Sequence, residues 1–274
     1  MTALPLPRAG EGGGEGLGKR RCAPLTPTLS PKGARESRKN TMTDKHLSTQ
    51  FDSELNQVSA RVMELGGLVE SQIREAIAAL SHFSLEAAAQ VESIESRVNQ
   101  MEVDIDHELI TIIARRQPTA RDLRLLMAFS KATANLERMG DEAARMARMV
   151  RSIIESGAAR SLPSSDLRVA ADLASGLLRK ALDSFARLDV KAAVAILKED
   201  DLIDREFDGF VRKLITYMME DARTISASLD LLFLAKAIER IGDHSKNIAE
   251  LIIYLVEGKD VRHRPVADIE STIQ

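Results

Sequence analysis

One five-residue string occurs twice and constrains the chain more than any other feature. Glu137-Arg138-Met139-Gly140-Asp141 returns as Glu239-Arg240-Ile241-Gly242-Asp243, 102 positions later. In each copy two acids stand four apart, so on a helix both carboxylates project from one face. Each copy also sets a glycine inside an otherwise helical pattern. That costs about 1 kcal/mol relative to alanine, so matched glycines mean that something needs the room. The chain reads as two copies of one helical unit, each presenting an acidic helix face.

The surrounding composition agrees with helix. Of 274 residues 44% are hydrophobic but only 3% aromatic, with no Trp and two Tyr, which suits long helices better than sheets. A net charge of -3 gives no global field for nucleic acid or an anionic membrane. The single Cys22 allows no disulfide within the chain and fits a reducing compartment. No apolar run approaches the ~20 residues of a membrane helix, and no secretory leader is apparent. A soluble cytoplasmic protein is expected.

Residues 1–42 differ from the rest. They hold five of the eight prolines and seven of the 15 glycines, without apolar periodicity. They read either as a flexible extension or as translated sequence upstream of a true start at Met42. Beyond them, from Thr43 to Arg264, only Pro118 and Pro163 occur, both where helices should break. Spacings of three and four predict helix one over about 47–82, and helix two from a Ser84 cap to about Arg116. Thr119 with Asp122 resembles a capping box for helix three, which runs to about Ser156. The cycle repeats: helix four opens at Pro163-Ser164, helix five is capped by Asp189, and helix six ends at Gly258. The expected fold is all-α: two tandem antiparallel three-helix bundles, residues 43–157 and 158–258, followed by a loose tail, 259–274.

Helix two carries a further pair at the same spacing, Glu95 and Asn99, and its counterpart 105 positions on is Asp200 and Asp204. In helices two, three and six the pair sits one residue past the apolar seam, flanking the core. Four carboxyl or amide groups per bundle could therefore converge on an outer groove. Such oxygen-only sets suit hard or borderline cations such as Mg, Mn or Fe, and carboxylates can bridge several ions. The plain alternative is a solvated face, because 41 acids in 274 residues yield about six such pairs by chance. His244 and His107 read as solvent-facing. The basic cluster Arg115, Arg116 and Arg121 reads as a charged helix end, or as a dock for an acidic partner. Nothing suggests a nucleophile or a phosphate-cradling glycine loop, so an enzyme is not expected. The rivals are a metal-dependent phosphohydrolase and a plain helical scaffold.

Several segments together resemble the PhoU family. They are Gln50-Phe51-Asp52-Ser53-Glu54-Leu55, Met63-Glu64-Leu65-Gly66-Gly67-Leu68-Val69-Glu70, the turn Ala114-Arg115-Arg116-Gln117-Pro118-Thr119-Ala120, Thr216-Tyr217-Met218-Met219-Glu220-Asp221, and both Glu-Arg-x-Gly-Asp strings. The resemblance covers about residues 43–258. It implies multinuclear metal clusters, of iron, manganese, zinc or magnesium, held by Glu95, Asn99, Glu137 and Asp141 and by Asp200, Asp204, Glu239 and Asp243. Asn99 departs from the acidic pattern. The resemblance further implies a homodimer on the cytoplasmic side of the phosphate ABC transporter. Its partners would be the transporter ATPase and the phosphate-sensing histidine kinase, which such proteins restrain when phosphate is plentiful. It would reach the membrane only through those partners and bind no nucleic acid.

Overall fold

Apolar residues at helical spacing force long amphipathic helices to bury one face each, and the chain does so throughout. The computed structural model describes residues 41–157 and 162–273, with side chains over 49–157 and 162–269. The chain divides into Met1–Asp44 and a second unit, Lys45–Gln274, which holds all the packing described below. Seven α-helices are described: α1 (Thr41–His82), α2 (Leu85–Arg116), α3 (Ala120–Glu155), α4 (Ser165–Arg187), α5 (Val190–Glu220), α6 (Ile225–Glu257) and α7 (Val266–Ile273). No strand is present among the described residues. The reading of residues 1–42 falls almost wholly outside them, except that α1 begins six residues earlier than the periodicity predicts.

Local chemistry sets the joints. The Ser84 side chain accepts from the Ala87 amide at 3.2 Å, and Asp189 accepts from Ala192 at 3.0 Å, each satisfying a first-turn donor. Gln117 closes α2 in the left-handed region at φ 47°, and Pro118 bars continuation. Gly258 closes α6 at φ 68°. The expected capping box at α3 is not formed. Thr119 makes no bond to the helix backbone; its hydroxyl donates to the Asp122 carboxylate instead.

Each bundle is antiparallel. Bidentate Arg116–Glu54 and Arg61–Glu108 pairs tie α1 to α2 with opposite chain direction. Lys180–Glu199 and Lys213–Asp166 do the same for α4 and α5. The bundles do not stand apart, however. An extensive helix pair joins α3 of one to α6 of the other, with Ser152–Asp230, Glu142–Arg240 and Asn135–Asn247 contacts fixing an antiparallel register. On the other side α1 meets α4, where Gly66 lies directly under Leu182. One continuous apolar core runs through both bundles.

The tail expectation is corrected. Residues beyond Gly258 turn back, burying Val261 and Ile269 to 2% exposure, and α7 packs against α5. Val266, Ile269 and Ile273 do stand at helical spacing, but over only about two turns, too short a stretch to separate an anchored helix from a charged tail.

The glycines of the repeat fill the role inferred for them. A Cβ on Gly140 would lie 2.9 Å from Gln72 Oε1 and 3.2 Å from Val98 Cγ1. A Cβ on Gly242 would lie 2.9 Å from Ile203 Cδ1 and 3.2 Å from Asp200 Oδ1. They let α2 approach α3, and α5 approach α6, at the acidic positions. Gly67, by contrast, faces open space. Gly67→Ala should therefore stabilise the fold by up to about 1 kcal/mol, whereas Gly140→Ala should lose about 1–3 kcal/mol to overpacking. Chemical denaturation of both variants checks this; equal gains would contradict the close approach.

Candidate functional site

Because α3 and α6 are related by the repeat, each bundle brings its four predicted residues to one helix pair. In the first, Glu95 and Asn99 on α2 meet Glu137 and Asp141 on α3. Glu95 interacts with both Asn99 and Asp141. Gln72 of α1, fully buried, donates to Glu95 Oε2 at 2.5 Å and reaches the Gly140 carbonyl at 3.3 Å, so it fixes that carboxylate from beneath. A fourth acid joins the set. Glu102 lies close enough to raise the Glu137 pKa, seven residues beyond Glu95 on the same helix face. The i, i+7 spacing could have revealed it, but the search for pairs four apart passed over it.

Crowding of these carboxylates is visible in their proton affinities. Burial first, then Asp141, Glu102 and Glu95, push Glu137 up to about 7. Burial and the neighbouring Asp141 raise Glu95; burial, Asp106 and Asp141 raise Glu102. Among the described residues no ion pair joins a lysine or arginine to Glu95, Glu102, Glu137 or Asp141.

The second bundle repeats the geometry with different compensation. Burial and then Glu239, Asp200 and Asp204 raise Asp243 to about 6, so all four predicted residues lie together. Two ammonium groups enter here. Lys246 Nζ donates to Asp200 at 2.8 Å, and Lys236 Nζ donates to Glu239 at 2.6 Å. Ala144 and Ala134 stand at the matching places in the first copy. Phe207 replaces Glu102 and stacks under Lys236 at 5.3 Å. Asp200 does not flank the core as the helix-face reading implies for its set. It is 1% exposed, because it falls three residues from both Leu197 and Ile203 on the seam of α5. Burial of that charge is tolerable only with its lysine.

The first site therefore has the donor chemistry of a cation site: four crowded carboxylates and one amide, with Arg138 acting on Glu137 only through space and without an ion pair. Among the described residues, no three Asp, Glu, His or Cys groups are gathered tightly enough to hold an ion as the side chains stand. Asp141 and Asn99 are exposed and already lie against Glu95.

His107 is exposed, as expected. His244 is not. Its Nδ1 lies 3.1 Å from Asn135 Oδ1 within the α3–α6 interface. Since the Asn135 amide group donates to the Lys131 carbonyl, Oδ1 is the acceptor and Nδ1 carries the proton. Burial and then Arg138 and Arg240 hold the His244 pKa down to about 4. A helical wheel of α6 alone does not show this, because α6 is buried on the α3 side as well as on its own bundle's side.

Fold and site together define an internally duplicated, two-bundle helical protein with an acidic helix pair in each half. Comparison with known proteins places it further. The PhoU domain matches twice, over residues 62–150 and 167–252, and the chain belongs to the PhoU family. It is 50% identical over 223 residues to the phosphate-specific transport system accessory protein PhoU homolog of Burkholderia sp, covering 81% of this chain and 95% of that protein. It is 45% identical to PhoU of Escherichia coli K12, covering 80% and 90%. The crystal structure of PhoU from Pseudomonas aeruginosa superposes with a TM-score of 0.74 at 42% identity, over 76% of this chain and all of that one.

The raised carboxyl groups give a stability profile with a definite sign. Glu137 binds its proton more tightly in the fold than in the unfolded chain, so without metal its contribution to stability falls as pH rises from the ordinary glutamate value of 4.5 to about 7 and levels off above that. Asp243, raised to about 6, adds the same sign at lower pH. His244 acts oppositely: the unfolded chain takes up a proton that the fold refuses, which costs stability below about pH 6.5. In chelator-treated protein the melting temperature of Glu137→Gln should gain on that of wild type as pH rises from about 5 to about 7. A difference between wild type and variant that stays constant over that interval would contradict the crowded site.

Proposed function

We propose that this chain is a non-catalytic regulator of phosphate uptake, acting on the phosphate-specific transport system. The observation that carries the reading is the double PhoU match, together with relatives 45–50% identical over 90% or more of their own length. Those relatives are named as accessory proteins of that transport system. The chain would work at the cytoplasmic face as a homodimer. It would dock on the transporter ATPase and the phosphate-sensing histidine kinase, restraining uptake and starvation signalling when phosphate is plentiful. No described helix is long and apolar enough to cross a membrane, which agrees with membrane contact through partners alone.

Within that role the acidic faces would hold divalent or iron-type cations. Glu95, Asn99, Glu102, Glu137 and Asp141 would bind in the first bundle, and Asp200, Asp204, Glu239 and Asp243 in the second. A bound cation supplies neutralisation of the face and so orders the docking surface. Lys236 and Lys246 already neutralise half of the second set, so cations should load the first bundle ahead of the second.

Deletion of the gene should release phosphate uptake and starvation signalling from phosphate repression, and co-purification under high phosphate should recover the ATPase or the kinase. Elemental analysis tests the metal reading separately. Glu102→Gln and Glu137→Gln should each weaken cation binding about tenfold or more, roughly 1.4 kcal/mol. Lys246→Met should destabilise chelated protein by about 2–3 kcal/mol by leaving Asp200 unpaired, with added cation restoring much of it. Unchanged metal content in the glutamate variants would remove the site assignment. Phosphate-ester turnover by the metal-loaded protein would favour an enzyme.

A further inference from the structure

A cavity of about 760 Å³ lies between the two acidic helix pairs and borders each of them at Asp141 and Asp243. It opens between α3 and α6 and is walled on one side by the turn after Gly258. Arg138 and Arg145 enter from α3, Arg240 from α6, and Arg262 and Arg264 from the turn. The buried tail anchors Val261 and Ile269 hold that turn in place. In a chain of net charge -3, such a concentration of guanidinium groups is local and specific.

Most of these groups are positioned, and not all are neutralised. Glu142, 5% exposed, receives Arg240 at 2.8 Å and Arg145 at 3.2 Å, so two guanidiniums share one carboxylate. Asp260 fixes Arg262. Among the described residues no ion pair engages Arg138 or Arg264. The repeat explains the free Arg138. It maps Arg240 onto Arg138 and Glu142 onto His244, and the α3–α6 register sets each arginine against the opposite helix. Where one half has an Arg240–Glu142 pair, the other has Arg138 against an imidazole. One carboxylate of a symmetric pair is missing, and a cation is left over.

We propose that this groove is an anion site for a compact oligophosphate, a ligand with two or more linked phosphoryl groups. Guanidinium forks match phosphoryl oxygens bidentately. They arrive from three directions, which suits a tetrahedral phosphoryl group better than a planar carboxylate. The volume exceeds what one orthophosphate fills. No Phe, Tyr or Trp lines the groove, and of its two imidazoles His244 is held in the α3–α6 interface, so the groove offers little stacking face to a base. Asp141, Glu142, Asp243 and Glu250 line it as well and would repel an acidic peptide laid across it, whereas a compact anion needs only the arginines.

The site does not depend on the metal reading, and the test separates the two. Calorimetric titration of the full chain in chelator would compare orthophosphate, pyrophosphate, tripolyphosphate, ATP and a hexaglutamate peptide. Tripolyphosphate is expected to bind about tenfold or more tighter than orthophosphate or the peptide, a difference of about 1.4 kcal/mol. ATP should gain nothing from its base. Arg138→Gln and Arg264→Gln should each weaken tripolyphosphate about tenfold while leaving the melting temperature unchanged, and either variant suffices if the other fails to fold. Binding that requires added cation, that both variants leave intact, or that the peptide wins would overturn the proposal.

Discussion

The antiparallel seam between α3 and α6 is the contact on which the rest depends. A three-helix bundle of this length could bury its apolar stripes alone. Here the repeated helix is buried on two sides, against its own bundle and against its copy. The register places Gly140 and Gly242 near the crossing point of the pair. Each glycine opens toward its own bundle, admitting the acidic stretch of α2 or α5. The seam thus sets carboxylates on both outer flanks and arginines along the groove between them.

Duplication supplies the plan, and charge substitutions divide the halves. Lysines at 236 and 246 fill a role held by alanines in the first copy, and Phe207 takes the place of Glu102. One acidic face is left crowded and raised in proton affinity; the other is largely paired. The same substitution logic puts His244 where Glu142 has its counterpart and frees Arg138. Two copies of one helical plan therefore carry different electrostatic tasks.

Much of this was legible in the residues. The six bundle helices, their joints at Ser84, Pro118, Asp189 and Gly258, and the convergence of the eight paired residues follow from spacing and capping. What escaped was anything set by contact between the copies. His244 reads as exposed because a single helix wheel cannot show a second buried face. Asp200 reads as a surface ligand because its lysine partner lies 46 positions away. Glu102 escaped because the search was for acids four apart, and the tail because Val261 and Ile269 make contacts only in three dimensions.

Location of bound cations by anomalous diffraction, on crystals grown with limiting manganese, tests the central claim most directly. The account predicts manganese first among Glu95, Glu102, Glu137 and Asp141, with the Asp200–Lys246 pair still intact. Manganese seated first among Asp200, Asp204, Glu239 and Asp243, or absent from both faces at saturating concentration, would contradict it.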